Sequence, residues 1–320
     1  MDAFKTMNEF GQKKIAFLFV IDFEMKMPMV VPLAQVDASQ MLYYIQGMHN
    51  GGEVCRNDVQ KNFSIREAIS IEKYEIAFKY CVEQLKLGNS YLLNLTFPTE
   101  IMTDLSLQEI FFLSKSKCKL WLRDNFVCFS PETFVSISDG IISSCPMKGT
   151  IDAAIPHAEQ LILQDEKETA EHYTIVDLIR NDLSMVASQV RVEKFRYVEK
   201  ISTNQKDLLQ VSSLISGKLL ADYASHIGDI LLTLLPAGSV SGAPKKKTLE
   251  IIQHAEQHER GYYTGIFGYF DGKNLNSAVM IRFIEQQNGK LFYKSGGGIT
   301  TQSNLQQEYA ELLDKVYFPF

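Results

Sequence analysis

Apolar positions recur every three to four residues over 67–87, where Ala68, Ile71, Tyr74, Phe78, Cys81, Val82 and Leu85 share one side of a helix. The same spacing predicts helices over 158–185, 244–258 and 303–316. The last has a stripe of Leu305, Tyr309, Leu312 and Val316 and opens on Ser303 and Gln306, a capping-box spacing. Elsewhere the period shortens to two, or the apolar run is short and continuous. Strands are predicted at 15–22, 91–97, 126–129, 190–198 and 208–217. Three dipeptides that tolerate positive φ mark hairpin turns. Asp139-Gly140 follows Phe134–Ile137 and precedes Ile141-Ile142. Asp271-Gly272 lies between Gly268–Phe270 and Ala278–Ile281, and Asn288-Gly289 is expected to join that second strand to Leu291–Tyr293. Hairpins interspersed with long helices indicate an α+β fold with a large antiparallel sheet system rather than a βαβ repeat.

No repeat and no Pro/Gly/Ser-rich linker divides the 320 residues. The expectation is one catalytic unit over 67–317 with a short N-terminal part, about residues 1–60, packed on it. Hydrophobic residues make up 46% and charged residues 22%, enough apolar surface to exclude disorder as the main state. The net charge of -6 argues against nucleic acid as the partner, because phosphate binding needs a basic face. A bilayer span needs about 20 apolar residues. The clean run Ile15–Ile21 falls far short, so no membrane association is expected. Asp2 and Glu9 stand where a signal peptide would be basic. Cys55, Cys81, Cys118, Cys128 and Cys145 make an odd set without C-x-x-C spacing. They read as plain buried residues in a reducing cytoplasm.

Five features could carry chemistry, each with a plainer alternative. Glu171 shares a helical face with Ile175, Leu178 and Asp182, so its carboxylate must be paired, protonated or metal-bound. Glu308 and Glu311, one turn apart, suit Mg²⁺ or else form a solvated acidic face near a helix start. Ser295-Gly296-Gly297-Gly298 reads as a backbone nest for a carboxylate or as an ordinary strand-to-helix turn. Pro236–Lys245 fails the P-loop spacing and reads as a structured turn, with Pro244 in the first turn of the following helix. Lys148 follows a hairpin strand and by itself reads as a surface charge. His254 and His258 are four apart, but Ala255 stands where a zinc-protease helix needs Glu, so a solvated face is expected.

Taken in order, several segments resemble the chorismate-utilising enzymes. They are Ser130–Phe134, Pro146-Met147-Lys148-Gly149-Thr150, Glu171–Leu183, Ala237–Lys245, Arg260–Phe270, Val279–Arg282, Gly296–Ile299 and Glu308-Tyr309-Ala310-Glu311. The resemblance covers about residues 67–317. It implies two facing, mainly antiparallel β-sheets wrapped by helices, with the active site between them. It also implies Mg²⁺ on Glu171 and Glu311, with Glu308 close by, gripping the ring carboxylate of chorismate. Arg282 and Tyr263 match positions that contact the enolpyruvyl carboxylate. Ser239 and the backbone at Gly296 and Gly298 line the same pocket, and Thr150 joins the substrate-binding group. A dianionic substrate in a chain of net charge -6 needs such a local cluster of cations.

Within the family, Lys148 stands where anthranilate synthases carry alanine, and resembles the branch that makes 4-amino-4-deoxychorismate for p-aminobenzoate and folate. Leu92 stands where isochorismate and salicylate synthases place a lysine base, and where a glutamine is common in the amination branch. Anthranilate synthase component I and isochorismate or salicylate synthase remain the alternatives, and a catalytically dead chorismate binder is a third class. The implied mechanism has Glu132 protonate the departing hydroxyl at ring carbon 4 while Lys148 attacks carbon 2. Ammonia then attacks carbon 4 and expels the lysine. No glutaminase sequence is present, so the resemblance implies a separate glutamine amidotransferase subunit as ammonia donor and a distinct downstream aminodeoxychorismate lyase. No Leu-Leu-Glu-Ser motif is found, so tryptophan feedback is not expected.

Overall fold

The computed structural model describes residues 2–52, 62–202 and 207–318. Cys55 lies outside them. Every strand pairing among the described residues is antiparallel, and the strands form two sheets. The first sheet runs Met147–Asp152, Asp207–Lys218, Ile141–Ser144, Thr133–Ser138, Leu275–Val279, Ile266–Phe270, Phe17–Ile21 and Met29–Pro32, with Ser188–Ser202 also on Asp207–Lys218. The second runs Gly242–Ala243, Leu92–Thr103, Lys290–Ile299, Phe283–Gln287, Phe126–Ser130, Cys118–Leu122, Met41–Ile45 and Met48–His49, with Phe63–Glu67 on Leu92–Thr103.

The sheets face each other because their strands are apolar on both sides. In Phe17–Ile21, Leu18 and Val20 pack with Phe267 and Met280 against Tyr43, Leu120, Phe126 and Phe283 of the second sheet. Phe17, Phe19 and Ile21 point the other way, into a core shared with the helices Asp2–Gln12, Glu166–Ser184 and Ile227–Leu234. The outer face of the second sheet offers Leu93, Leu95, Phe97 and Ile299 to the helices Ile71–Lys86, Lys245–Glu256 and Leu305–Asp314. Residues from the first fifty thus supply strands to both sheets.

Several expectations need correction. Asn288-Gly289 does turn the chain, with both φ angles positive, but the strand it follows is Phe283–Gln287 in the second sheet. The strand after Asp271-Gly272 ends at Val279 in the first sheet. The apolar run between them conceals a crossover at Met280–Arg282, where Arg282 takes φ 52°. The 158–185 stretch is two helices, Ala158–Gln164 and Glu166–Ser184, because Asp165 ends one and caps the next through Glu168 N. Asn304, not Ser303, caps the last helix, accepting from Gln306 N and Gln307 N. Ser303 accepts from Thr300 N instead. The glycines at 296–298 form no nest, since they lie inside the strand Lys290–Ile299, opposite Thr96, Leu95 and Asn94. Pro244 precedes its helix as the capping residue. His258 lies beyond the end of Lys245–Glu256, and His254 packs its ring 4.5 Å from Tyr80 rather than facing solvent alone. No helix of the described residues is long and apolar enough to cross a membrane.

Candidate active site

The strand Lys290–Ile299 is bare over three consecutive residues, and polar side chains close in around it. A Cβ on Gly297 would stand 3.5 Å from Glu308 Oε2 and 3.7 Å from Glu311 Oε1. The two carboxylates therefore converge on a spot that no side chain fills. A Cβ on Gly298 would stand 3.3 Å from Leu92 Cδ1 and 3.8 Å from Lys148 Nζ. A pair of convergent carboxylate oxygens is a donor set that fits a hard divalent cation. Among the described residues, no three His, Cys, Asp or Glu side chains gather into a metal cage.

Glu171 instead faces Lys148, Nζ to Oε2 at 3.3 Å. The helix Glu166–Ser184 supplies Glu171 and the strand Met147–Asp152 supplies Lys148. That strand carries an irregularity between Lys148 and Thr150, where Gly149 takes φ 76°. A bulge of this kind re-aims the side chains beside it. Thr150 is exposed in register with Gln210, and no bond ties it to the cluster among the described residues.

Glu132 is a buried carboxyl beside these residues. Ser239, from the short helix Gly238–Ser241, donates its hydroxyl to Glu132 Oε1. Burial pushes the Glu132 carboxyl above its ordinary range, and it prevails over Ser239, Lys148, Arg282 and Lys315, which all favour the charged form. Lys315 donates to Gly296 O at 2.8 Å and pairs with Glu311 at 2.7 Å, and burial pulls its ammonium below the usual range. Arg282, on the crossover between sheets, donates from Nε to the Tyr317 hydroxyl at 3.0 Å. Tyr263 is buried with its ring 5.8 Å from Phe283, next to Arg282 in sequence, and burial pushes its phenol upward. Leu92, Glu171, Tyr91, Thr174 and Gln302 line a cavity of about 160 Å³, which meets Lys148 through Glu171.

A family model described as chorismate binding enzyme matches residues 37–320. The chain belongs to the chorismate-binding enzymes. It is 54% identical to an uncharacterized PabA-like protein of Haemophilus influenzae, over 98% of this chain and 94% of that one. It is 52% identical to a second uncharacterized PabA-like protein, from Pasteurella multocida, over 98% and 96% of the two chains. Its fold matches MenF, the menaquinone-specific isochorismate synthase of Escherichia coli, with a TM-score of 0.74 over 96% of this chain and 78% of that one, at 15% identity.

In this chorismate-binding enzyme, sequence reasoning missed Lys315 and Tyr317. Lys315 had a signal, since it stands four residues after Glu311 on the same helix face. It also missed the charged pairs behind the site. Arg260, buried to 1% exposure, pairs with Glu256 at 2.7 Å. Lys245 pairs with Asp182 at 3.0 Å.

Proposed function

We propose that this enzyme aminates chorismate with ammonia to 4-amino-4-deoxychorismate, the route to p-aminobenzoate and folate. The single observation that carries the reading is Lys148, whose amine lies beside the glycine strand and against Glu171, within the field of Glu132. Glu132 is the proton donor. Its enclosure favours the neutral acid, which is the form that can give a proton. The proton goes to the hydroxyl leaving carbon 4, which departs as water. Lys148 nitrogen forms a bond to carbon 2 as the two ring double bonds shift and the carbon 4–oxygen bond breaks. The lysine adduct then gives its extra proton to the Glu132 carboxylate. Ammonia bonds to carbon 4, the double bonds shift back, the carbon 2–nitrogen bond breaks, and the new ammonium passes a proton to the departing lysine nitrogen, so that Lys148 leaves as the amine. In this reading Arg282 and Tyr263 bind the enolpyruvyl carboxylate. Glu308 and Glu311, which converge beside Gly297, would hold Mg²⁺, and Glu171 would have to turn from Lys148 to join them; the ion would supply positive charge for the ring carboxylate. Ser239 acts on Glu132 rather than on substrate. Leu92 gives the pocket wall no base with which to activate water. Ammonia comes from a glutamine amidotransferase partner, and a separate lyase consumes the product, in the cytoplasm.

The test is incubation with chorismate, Mg²⁺ and an ammonium salt, with the product identified by NMR because the 2-amino and 4-amino products are isomers. The expected product is the 4-amino isomer, and Lys148→Ala slows its formation by about a thousandfold, roughly 4 kcal/mol of barrier. Anthranilate or isochorismate as product overturns the amination reading, and an unchanged rate in Lys148→Ala removes the nucleophile.

A further inference from the structure

The turn that carries Ser239 is clamped on both sides of that residue. On one side, helix Glu166–Ser184 presses on Gly238, where a Cβ would stand 3.0 Å from both Asp182 Oδ2 and Leu178 Cδ2. A side chain there would push Asp182 and Leu178 outward, so glycine gives the closest approach. Lys245 completes this clamp, meeting Asp182 Oδ2 at 3.0 Å and donating to Leu234 O at 2.7 Å, with both charged side chains at 20% exposure or less. On the other side, Arg260 donates to Val240 O at 2.8 Å. Ser241 Oγ donates to Ala237 O at 2.8 Å and closes the turn. Glu132, Asp182, Gly238 and Ser239 line one small cavity of about 20 Å³. The clamp and the acid therefore share a wall, with space for about one water.

We propose that Lys245 and Asp182 are positioning residues that hold the Ser239 hydroxyl against Glu132 and so set the protonation of the catalytic acid. They touch neither substrate nor the reacting atoms. Their effect passes through the four-residue turn: the pair fixes Gly238, Gly238 fixes Ser239, and Ser239 donates to the carboxylate. A donor to the charged form lowers a carboxyl pKa, so a loosened turn lets the Glu132 midpoint rise. The groups that face Glu132 besides Ser239 are Lys148, Arg282, Lys315 and, across the cavity, Asp182. The catalytic meaning rests on the reading of Glu132 as proton donor, but the coupling can be measured without turnover.

The experiment is a carbon-13 NMR titration of the Glu132 carboxyl in the full chain, assigned by difference from Glu132→Gln. Ser239→Ala raises the midpoint by about one pH unit. Lys245→Met raises it in the same direction, and the Ser239→Ala/Lys245→Met double variant titrates with Ser239→Ala alone. Should Lys245→Met fail to fold, Asp182→Asn/Lys245→Met, which leaves no buried charge unpaired, takes its place. A midpoint unmoved by the clamp variant overturns the proposal. So does a further shift in the Ser239→Ala background, because a bare charge effect of Lys245 would add there. Absence of amination by the parent chain would instead strike the functional reading and leave the titration standing.

Discussion

Two cation–glutamate pairs lie near the strand Leu92–Thr103, and they are built on opposite principles. Arg260 uses all five of its donors: two on Glu256, and one each on the carbonyls of Val240 and Asn94 and on the Thr264 hydroxyl. Glu256 also accepts from the backbone and hydroxyl of Thr96, and the guanidinium lies over the Phe23 ring. Lys148 meets Glu171 at 3.3 Å, and the two side chains are 29% and 15% exposed. The first pair is fully satisfied and joins three segments of chain. The second is longer and partly exposed, where the first is 1% exposed on both sides. Burial with every donor used marks the pair that holds the fold, and a longer contact within reach of solvent marks the pair available for chemistry.

The sharpest way to break this contrast is to remove Arg260. Arg260→Met leaves Glu256 charged in a dry site and strips the carbonyls of Asn94 and Val240 of their donor. The expected loss is about 3–5 kcal/mol, read as the shift in urea midpoint at constant slope. A loss under about 1 kcal/mol would mean that saturation in the structure is no guide to stability.

Lys119 is the intermediate case, a cation met by carbonyls. It donates to Phe111 O at 2.9 Å and Ser114 O at 2.6 Å and lies 4.8 Å above the Phe111 ring. Burial pushes its pKa from 10.5 down to about 8. Between these values the unfolded chain holds a proton that the folded chain has lost, so stability rises with pH across that window. The gain is at most about 3 kcal/mol, and because Lys119→Met cannot titrate there it appears in full as the difference between the pH slopes of parent and variant. Identical pH slopes in the two proteins would show that the carbonyls fully replace water.

The same contrast explains what was legible in the sequence. The Asp139-Gly140 and Asn288-Gly289 turns were readable because a two-residue hairpin needs positive φ at both positions, which those residues accept. Glu132, Lys148, Glu171, Glu308 and Glu311 were singled out through the family motifs in which they stand, and the structure brings Lys148 against Glu171 and Glu308 beside Glu311. The crossover at Met280–Arg282 was hidden, because Ala278 to Ile284 is apolar almost throughout and both sheets bury it. Arg260 was hidden for a different reason. Its partners lie 4, 20 and 166 residues away, and no local period records a bond of that reach.

The smallest effect is the one the comparison most needs. Lys148→Met should change folding stability by less than about 1 kcal/mol, the range of pairs that water can reach. The thioether keeps the stem's contact with the glycine strand, and the cavity beside Tyr91 and Thr174 lets solvent approach Glu171 once the ammonium is gone. The ion pair itself is long, so little attraction is lost. The urea midpoint should stay near that of the parent while the proposed amination falls. A loss above about 2 kcal/mol would place Lys148 with Arg260 as a structural cation, and its exposure and long contact would then no longer distinguish the two.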